Sequence, residues 1–264
     1  MMDARTAMAD LLVDIRGVLV RERELFGETL LIDPPLRGES TMARSKSGAK
    51  KPADEPALFD LPAPATRPIT GETWGSAVTL DGLDDLICTC MKCPLGHTRT
   101  KFVFGTGNPS ATLMVIGEAP GADEDAQGEP FVGKAGQLLN KILEAIGFKR
   151  EDVYICNILK CRPPGNRKPL AEEVDLCIPY LRKQIALVKP KLILALGLTA
   201  AENLLATTES LGRLRGRVLQ YEGTPLMVTY HPAALLRNPN WKRPAWEDVQ
   251  AVRKLHDELV AQGR

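Results

Sequence analysis

The sequence predicts an α/β protein with a parallel sheet covered by helices on both faces, and three observations predict it. Four short apolar runs, residues 112–117, 153–158, 192–197 and 225–230, have the continuous hydrophobicity of strands buried on both sides. Helix-patterned stretches alternate with them at 134–146, 171–188 and 199–205, and a last one runs over 245–262. Glycine or polar residues stand at the end of each run, where open parallel sheets collect ligands.

The 264 residues suffice for one large domain plus an extension, and a hydrophobic content of 44% supports a sizeable core. Residues 3–26 have helical spacing, with Leu11, Leu12, Ile15, Val18 and Leu19 on one face. Residues 1–32 therefore read as a helical appendage. A helix that docks on a partner protein is the alternative. Residues 33–76 are rich in Pro, Ala, Ser and charge and read as a disordered linker. The folded domain is expected over 77–264.

A net charge of +1 excludes a polycation, so any affinity for nucleic acid must come from a local patch. No run approaches the ~18 apolar residues of a membrane helix. Asp3, Arg5, Asp10, Asp14 and Arg16 interrupt what would be a signal-peptide core. The expectation is an intracellular, cytoplasmic and monomeric chain. Its six cysteines then read as metal ligands or core residues rather than disulfides.

The first strand delivers Gly117 and Glu118. A loop follows with Pro120, Gly121, the carboxylates Asp123, Glu124 and Asp125, and then Phe131. The second strand ends on Asn157, the third on Gly197, the fourth on Tyr230 and His231. One polar residue at a strand end is usually a cap or a turn. An acid, an amide and an imidazole on one rim argue for a site. Asp125 reads either as a support for Glu118 or a pocket residue, or as part of a solvated loop face.

Cys90 and Cys93 form a C-x2-C pair, and Cys161 and Cys177 lie downstream with fifteen residues between them. Four thiolates without a histidine suit zinc or an iron–sulfur cluster, and spacing alone does not separate the two. Cys156 lies within a strand and reads as a small buried hydrophobe. Cys88 competes with Cys90 as a ligand, and the C-x2-C spacing favours Cys90. Around Cys161, "KCRPPGNRKP" places Lys160, Arg162, Arg167 and Lys168, which read as a surface platform for phosphate or as a solvated loop offsetting a cluster's negative charge.

The segments "GEAPGADEDAQGEPFVGKAGQLLNKIL", "NILKCRPPGNRKP" and "TYHPAALLRNP", with the four cysteines, resemble the family 4 uracil-DNA glycosylases, the iron–sulfur branch of that superfamily. The resemblance runs from about Cys90 to the C-terminus, roughly two-thirds of the chain. It implies a three-layer α/β/α fold and a structural 4Fe-4S cluster on Cys90, Cys93, Cys161 and Cys177. It also implies base-excision repair of uracil-containing DNA, single- or double-stranded, association with the nucleoid, and another repair or replication protein as the partner of a docking N-terminal segment. Glu118 and His231 would be catalytic: Glu118 activates or positions water, and His231 faces a uracil carbonyl oxygen. Ala119, Phe131 and Asn157 would bind substrate, Phe131 by stacking and Asn157 by reading the uracil edge.

Chemistry gives each role a reason. A base must leave the duplex to be reached, and an aromatic face replaces part of its lost stacking. One amide accepts from N3–H and donates to O4, a pattern that cytosine reverses. In "YHPAALLRNPNWKRPAW", Leu235 or Leu236 reads as a wedge into the vacated stack, with one of the two expected in the core. Arg237, Lys242 and Arg243 read as phosphate contacts, and Arg99, Arg215 and Arg217 as weaker ones. The short segment after Asn157 lacks the histidine-bearing insertion of a cross-linking branch, so free turnover is expected. The rivals are a non-catalytic Fe–S nucleic-acid-binding module and a zinc-stabilised nucleotide-binding or hydrolase domain.

Overall fold

The computed structural model describes residues 73–263. The appendage expected over 1–32 lies outside them, as does the linker apart from its last four residues. Those four, Thr73–Ser76, form a 3-10 turn that buries Trp74. A single large aromatic anchors a stretch whose composition otherwise reads as linker.

The helices are α1 (Leu80–Ile87), α2 (Leu95–Thr98), α3 (Ala122–Gln127), α4 (Lys134–Ala145), α5 (Ala171–Val188), α6 (Leu198–Leu205), α7 (Leu211–Leu214), α8 (Pro232–Arg237) and α9 (Lys242–Ala261). The strands are β1 (Thr106–Gly107), β2 (Leu113–Gly117), β3 (Tyr154–Asn157), β4 (Leu192–Leu196), β5 (Leu219–Tyr221) and β6 (Thr224–Thr229). They form one sheet in the order β1-β3-β2-β4-β6-β5. The four expected strands are its parallel centre, and β1 and β5 add short antiparallel edges.

Every residue of β2, β3 and β4 is buried. Successive side chains of a strand point to opposite faces, so both faces must be covered. On one face Met114, Ile116, Cys156, Ile193, Ala195 and Val228 share a core with Leu83, Ile87, Leu181, Ile185, Ala200 and Leu204 from α1, α5 and α6. Leu113, Val115, Ile155, Leu194 and Met227 lie outside that cluster and are buried too, as are Leu139, Leu143, Val249 and Val252 from α4 and α9. The result is the α/β/α sandwich that the family resemblance implies.

Local chemistry sets the element ends. Thr79 Oγ1 accepts from Gly82 N–H at 3.1 Å and caps α1. Glu173 accepts from Leu170 N–H at 2.9 Å at the start of α5. Helix α9 begins three residues earlier than the sequence pattern suggests, because Pro244 falls in its first turn, where a missing N–H costs nothing.

Candidate active site

The register of the parallel strands decides where the polar residues meet. Gly117 pairs with Asn157, Ile116 with Ala195 and Leu196 with Thr229, so the ends of all four parallel strands lie level. Beyond them opens a cavity of about 320 Å3. Glu118, Ala119, Phe131, Asn157, His231 and Arg237 line it, together with Glu124, Asn166 and Arg167. The side chains that sequence reasoning drew from four separate segments therefore share one space.

Phe131 reaches the cavity at a conformational cost. Its φ of 54° is left-handed, a region that costs a bulky residue on the order of 1–3 kcal/mol. Its ring is 5% exposed and lies 5.5 Å from the His231 ring, centroid to centroid. Two glycines make room. A Cβ at Gly117 would lie 2.6 Å from Phe131 Cζ and would collide with Asn157 Oδ1, and one at Gly136 would run into the Phe131 carbonyl.

The acidic cluster is largely structural. Asp123, Glu124 and Asp125 occupy the first turn of α3, where carboxylates suit the helix dipole. Glu124 accepts from Gly121 N–H at 3.0 Å, Val132 N–H at 2.9 Å and Gly133 N–H at 3.0 Å, and so ties the strand-end loop to the Phe131 segment. Asp125 is buried and accepts from Thr100 N–H at 2.9 Å. It is neither a solvated loop residue nor among the side chains lining the cavity. No periodicity in the sequence distinguishes these anchoring roles.

Asn157 is 2% exposed, and its Oδ1 is buried without a hydrogen-bond partner. Such an atom costs roughly 1–3 kcal/mol unless a ligand satisfies it. Lys160 corrects the expected cationic platform. It is fully buried, and its Nζ donates to Asn157 O at 2.8 Å and Gln184 Oε1 at 2.5 Å. A long side chain on an apparently polar loop has turned inward to hold the backbone of the residue that lines the cavity.

His231 is the N-cap of α8, and its Nδ1 accepts from Ala233 N–H at 3.2 Å. The ring proton of the neutral form therefore sits on Nε2. Burial first, then the charge of Arg237, lowers its pKa from 6.5 to about 4, against the opposing pull of Glu124. The ring is a neutral N–H donor at physiological pH.

Leu235 is 2% exposed and belongs to the core, which removes it from the expected DNA contacts. Leu236 is 47% exposed and stays available. Arg237 lines the cavity, and Arg243 pairs with Glu247 at 3.6 Å on α9. Arg215 is a structural cation. It binds Asp248 at 2.6 and 3.0 Å, and Thr229 Oγ1 donates to the same carboxylate at 2.7 Å. Arg167 lines the cavity while pairing with Glu173, and Lys168 pairs with Glu202 at 2.9 Å.

The four expected cysteine ligands lie in one region. Cys90, Cys93 and Cys177 pack against the core cluster that contains Cys161. Arg99 donates to Cys161 Sγ at 3.1 Å and also to the carbonyls of Cys90 and Cys88, and Tyr180 OH donates to Cys90 Sγ at 3.3 Å. Burial pushes the Cys177 thiol up to about 12 and raises that of Cys161. Cys88 bonds instead to Asp85 O at 3.6 Å, and Cys156 is a buried strand residue, as expected. Among the described residues, no three His, Cys, Asp or Glu side chains converge as ligands of a single ion.

Comparison with known proteins bears on this arrangement. Residues 104–250 match the family model of the uracil DNA glycosylase superfamily. A type-4 uracil-DNA glycosylase of Pyrobaculum aerophilum is 48% identical over 170 residues, which is 61% of this chain and 86% of that protein. One of Archaeoglobus fulgidus is 42% identical over 187 residues, 67% of this chain and 94% of that protein. One of Thermotoga maritima is 42% identical over 168 residues, covering 62% and 88%. More than half of the sequence thus falls within one family model, and the chain belongs to the uracil-DNA glycosylase superfamily, in its type-4 branch.

Proposed function

We propose that this chain removes uracil from DNA by hydrolysing the N-glycosidic bond. The observation that carries the reading is the orphaned, buried Oδ1 of Asn157, a residue lining a cavity that also holds an aromatic ring, a carboxylate and a neutral imidazole. An acceptor with no partner calls for a ligand N–H, and uracil supplies one at N3. The amide nitrogen of the same side chain donates to O4. Cytosine has no N3–H and an amino group at C4, so both contacts would be lost.

The residues divide the work. Phe131 covers the face of the extruded base in place of its lost neighbours. As the C1′–N1 bond breaks, its electron pair moves onto the uracil ring, and His231 donates its Nε2–H to the carbonyl oxygen where that charge gathers. Because the imidazole is neutral, this is hydrogen bonding to an anion rather than proton delivery. Glu118 orients the water whose oxygen bonds to C1′, takes up its proton, and stabilises the positive charge on the sugar. Leu236 is the side chain that enters the vacated stack, and Arg237, Lys242 and Arg243 hold phosphates nearby.

The thiols of Cys90, Cys93, Cys161 and Cys177 would hold a 4Fe-4S cluster. A thiolate buried as Cys177 is needs a cationic partner, and the donors on Cys90 and Cys161 suit cluster sulfurs. Held by these four thiols, a cluster would cross-link the α1–α2 segment, the loop after β3 and α5.

Incubation with a uracil-containing oligonucleotide, followed by alkaline strand scission, tests the activity. Cleavage at uracil, unaffected by EDTA, is expected. Uracil-DNA bound and left intact would mean a binding module that shares the fold without the chemistry.

A further inference from the structure

The left-handed Phe131 segment is held by a residue that lies outside the cavity. Arg150 sits in a 3-10 turn just before β3 and is absent from the cavity lining. Its guanidinium donates to two successive carbonyls, Pro130 O at 2.5 Å and Phe131 O at 3.2 Å. The same group binds Asn140 Oδ1 on α4 at 3.1 Å and Glu129 Oε1 at 3.1 Å. The planar fork of arginine matches this set of four acceptors, whereas lysine, a point charge, cannot span them.

The contacts fall where the backbone needs support. Glu124 holds the N–H groups that follow Phe131, and Arg150 holds the carbonyls at and before it. The strained φ at Phe131 thus has a hydrogen-bonded anchor on each side, one from α3 and one from the turn before β3. Ring orientation follows backbone orientation, because the ring packs over the bare backbone of Gly117 and its carbonyl over that of Gly136.

We infer that Arg150 is a positioning residue for uracil excision: it fixes the peptide of Phe131 so that the ring lies parallel to the extruded base. This rests on the glycosylase reading above, and it assigns to that reaction a residue that touches neither base nor DNA. Asn140 and Glu129 orient the guanidinium in turn.

A double-mutant cycle in the full-length protein tests it, with Arg150→Ala, Phe131→Leu and the pair, read by single-turnover excision, substrate half-saturation and melting temperature. Arg150→Ala is expected to slow single-turnover excision at least tenfold while half-saturation changes less than threefold. In the Phe131→Leu background the same substitution should cost less than twofold, because its effect passes through the ring. Arg150→Lys should recover only part of the rate even where it recovers the melting temperature. If Arg150→Ala does not fold, Arg150→Gln takes its place in the cycle. A loss of equal size in both backgrounds, or a wild-type rate in the single variant, overturns the inference and leaves the glycosylase reading intact. A wild-type chain that releases no uracil overturns both.

Discussion

At the residue scale, the proposed excision of uracil rests on two atoms, Asn157 Oδ1 and His231 Nε2. Removing the amide in Asn157→Ala should lower kcat/KM for uracil excision on the order of a hundredfold or more, since a polar reader of a polar edge is lost. The imidazole leads to a pH prediction whose sign follows from its burial. Its folded pKa, about 4, lies below the unfolded 6.5, so between those values the unfolded chain binds more protons. His231 therefore contributes to stability above that window, and the contribution is lost as pH falls through it. Excision should show no ionisation of His231 between roughly pH 6 and 8. A step near neutral pH that disappears in His231→Gln would show that the imidazole carries charge there. The adjacent leucines separate by burial. Leu235→Ala should destabilise by about 2–5 kcal/mol, as core truncations do. Leu236→Ala should leave the melting temperature unchanged and slow excision from duplex more than from single-stranded DNA. The sequence identified the pair but not the order, because two consecutive leucines on a short helix carry no periodicity that marks which is inside.

At the scale of elements, continuous apolar runs were the legible part. All four central strands lie within a residue of the expected bounds, since strands buried on both faces leave an unmixed hydrophobic signal. The edge strands β1 and β5 are two and three residues long, too short to show a period. Helix α3, "ADEDAQ", reads as an acidic loop because glycines flank it and its stability comes from the dipole and from Glu124. The site residues at strand ends were readable because a parallel sheet places successive ends on one rim. Lys160 was not readable, because nothing in "LKCRPPGN" marks which cation turns inward. Close packing between elements makes a further prediction. Gly136→Ala places a methyl group against the Phe131 carbonyl, so excision should fall at least tenfold, with a drop in melting temperature of several degrees.

For the whole molecule, two structures must coexist: a sheet whose rim forms the cavity, and a cysteine region on the face packed by α1 and α5. Lys160 links them, adjacent in sequence to Cys161 and bonded to the backbone of Asn157. If the four thiols hold the proposed cluster, its loss should damage folding before chemistry. Cys177→Ala should abolish the brown visible absorption and lower the melting temperature. A colourless wild-type protein with bound zinc would contradict the cluster. In the proposed reaction Glu118, Asn157 and His231 act on one base in one cavity. Single-turnover excision by Glu118→Ala, Asn157→Ala and His231→Ala on the same uracil oligonucleotide tests it most directly. Each variant should be severely slowed while remaining folded, with His231→Ala also losing the N-cap of α8 and a few degrees of melting temperature, and wild-type rates in all three would contradict the site.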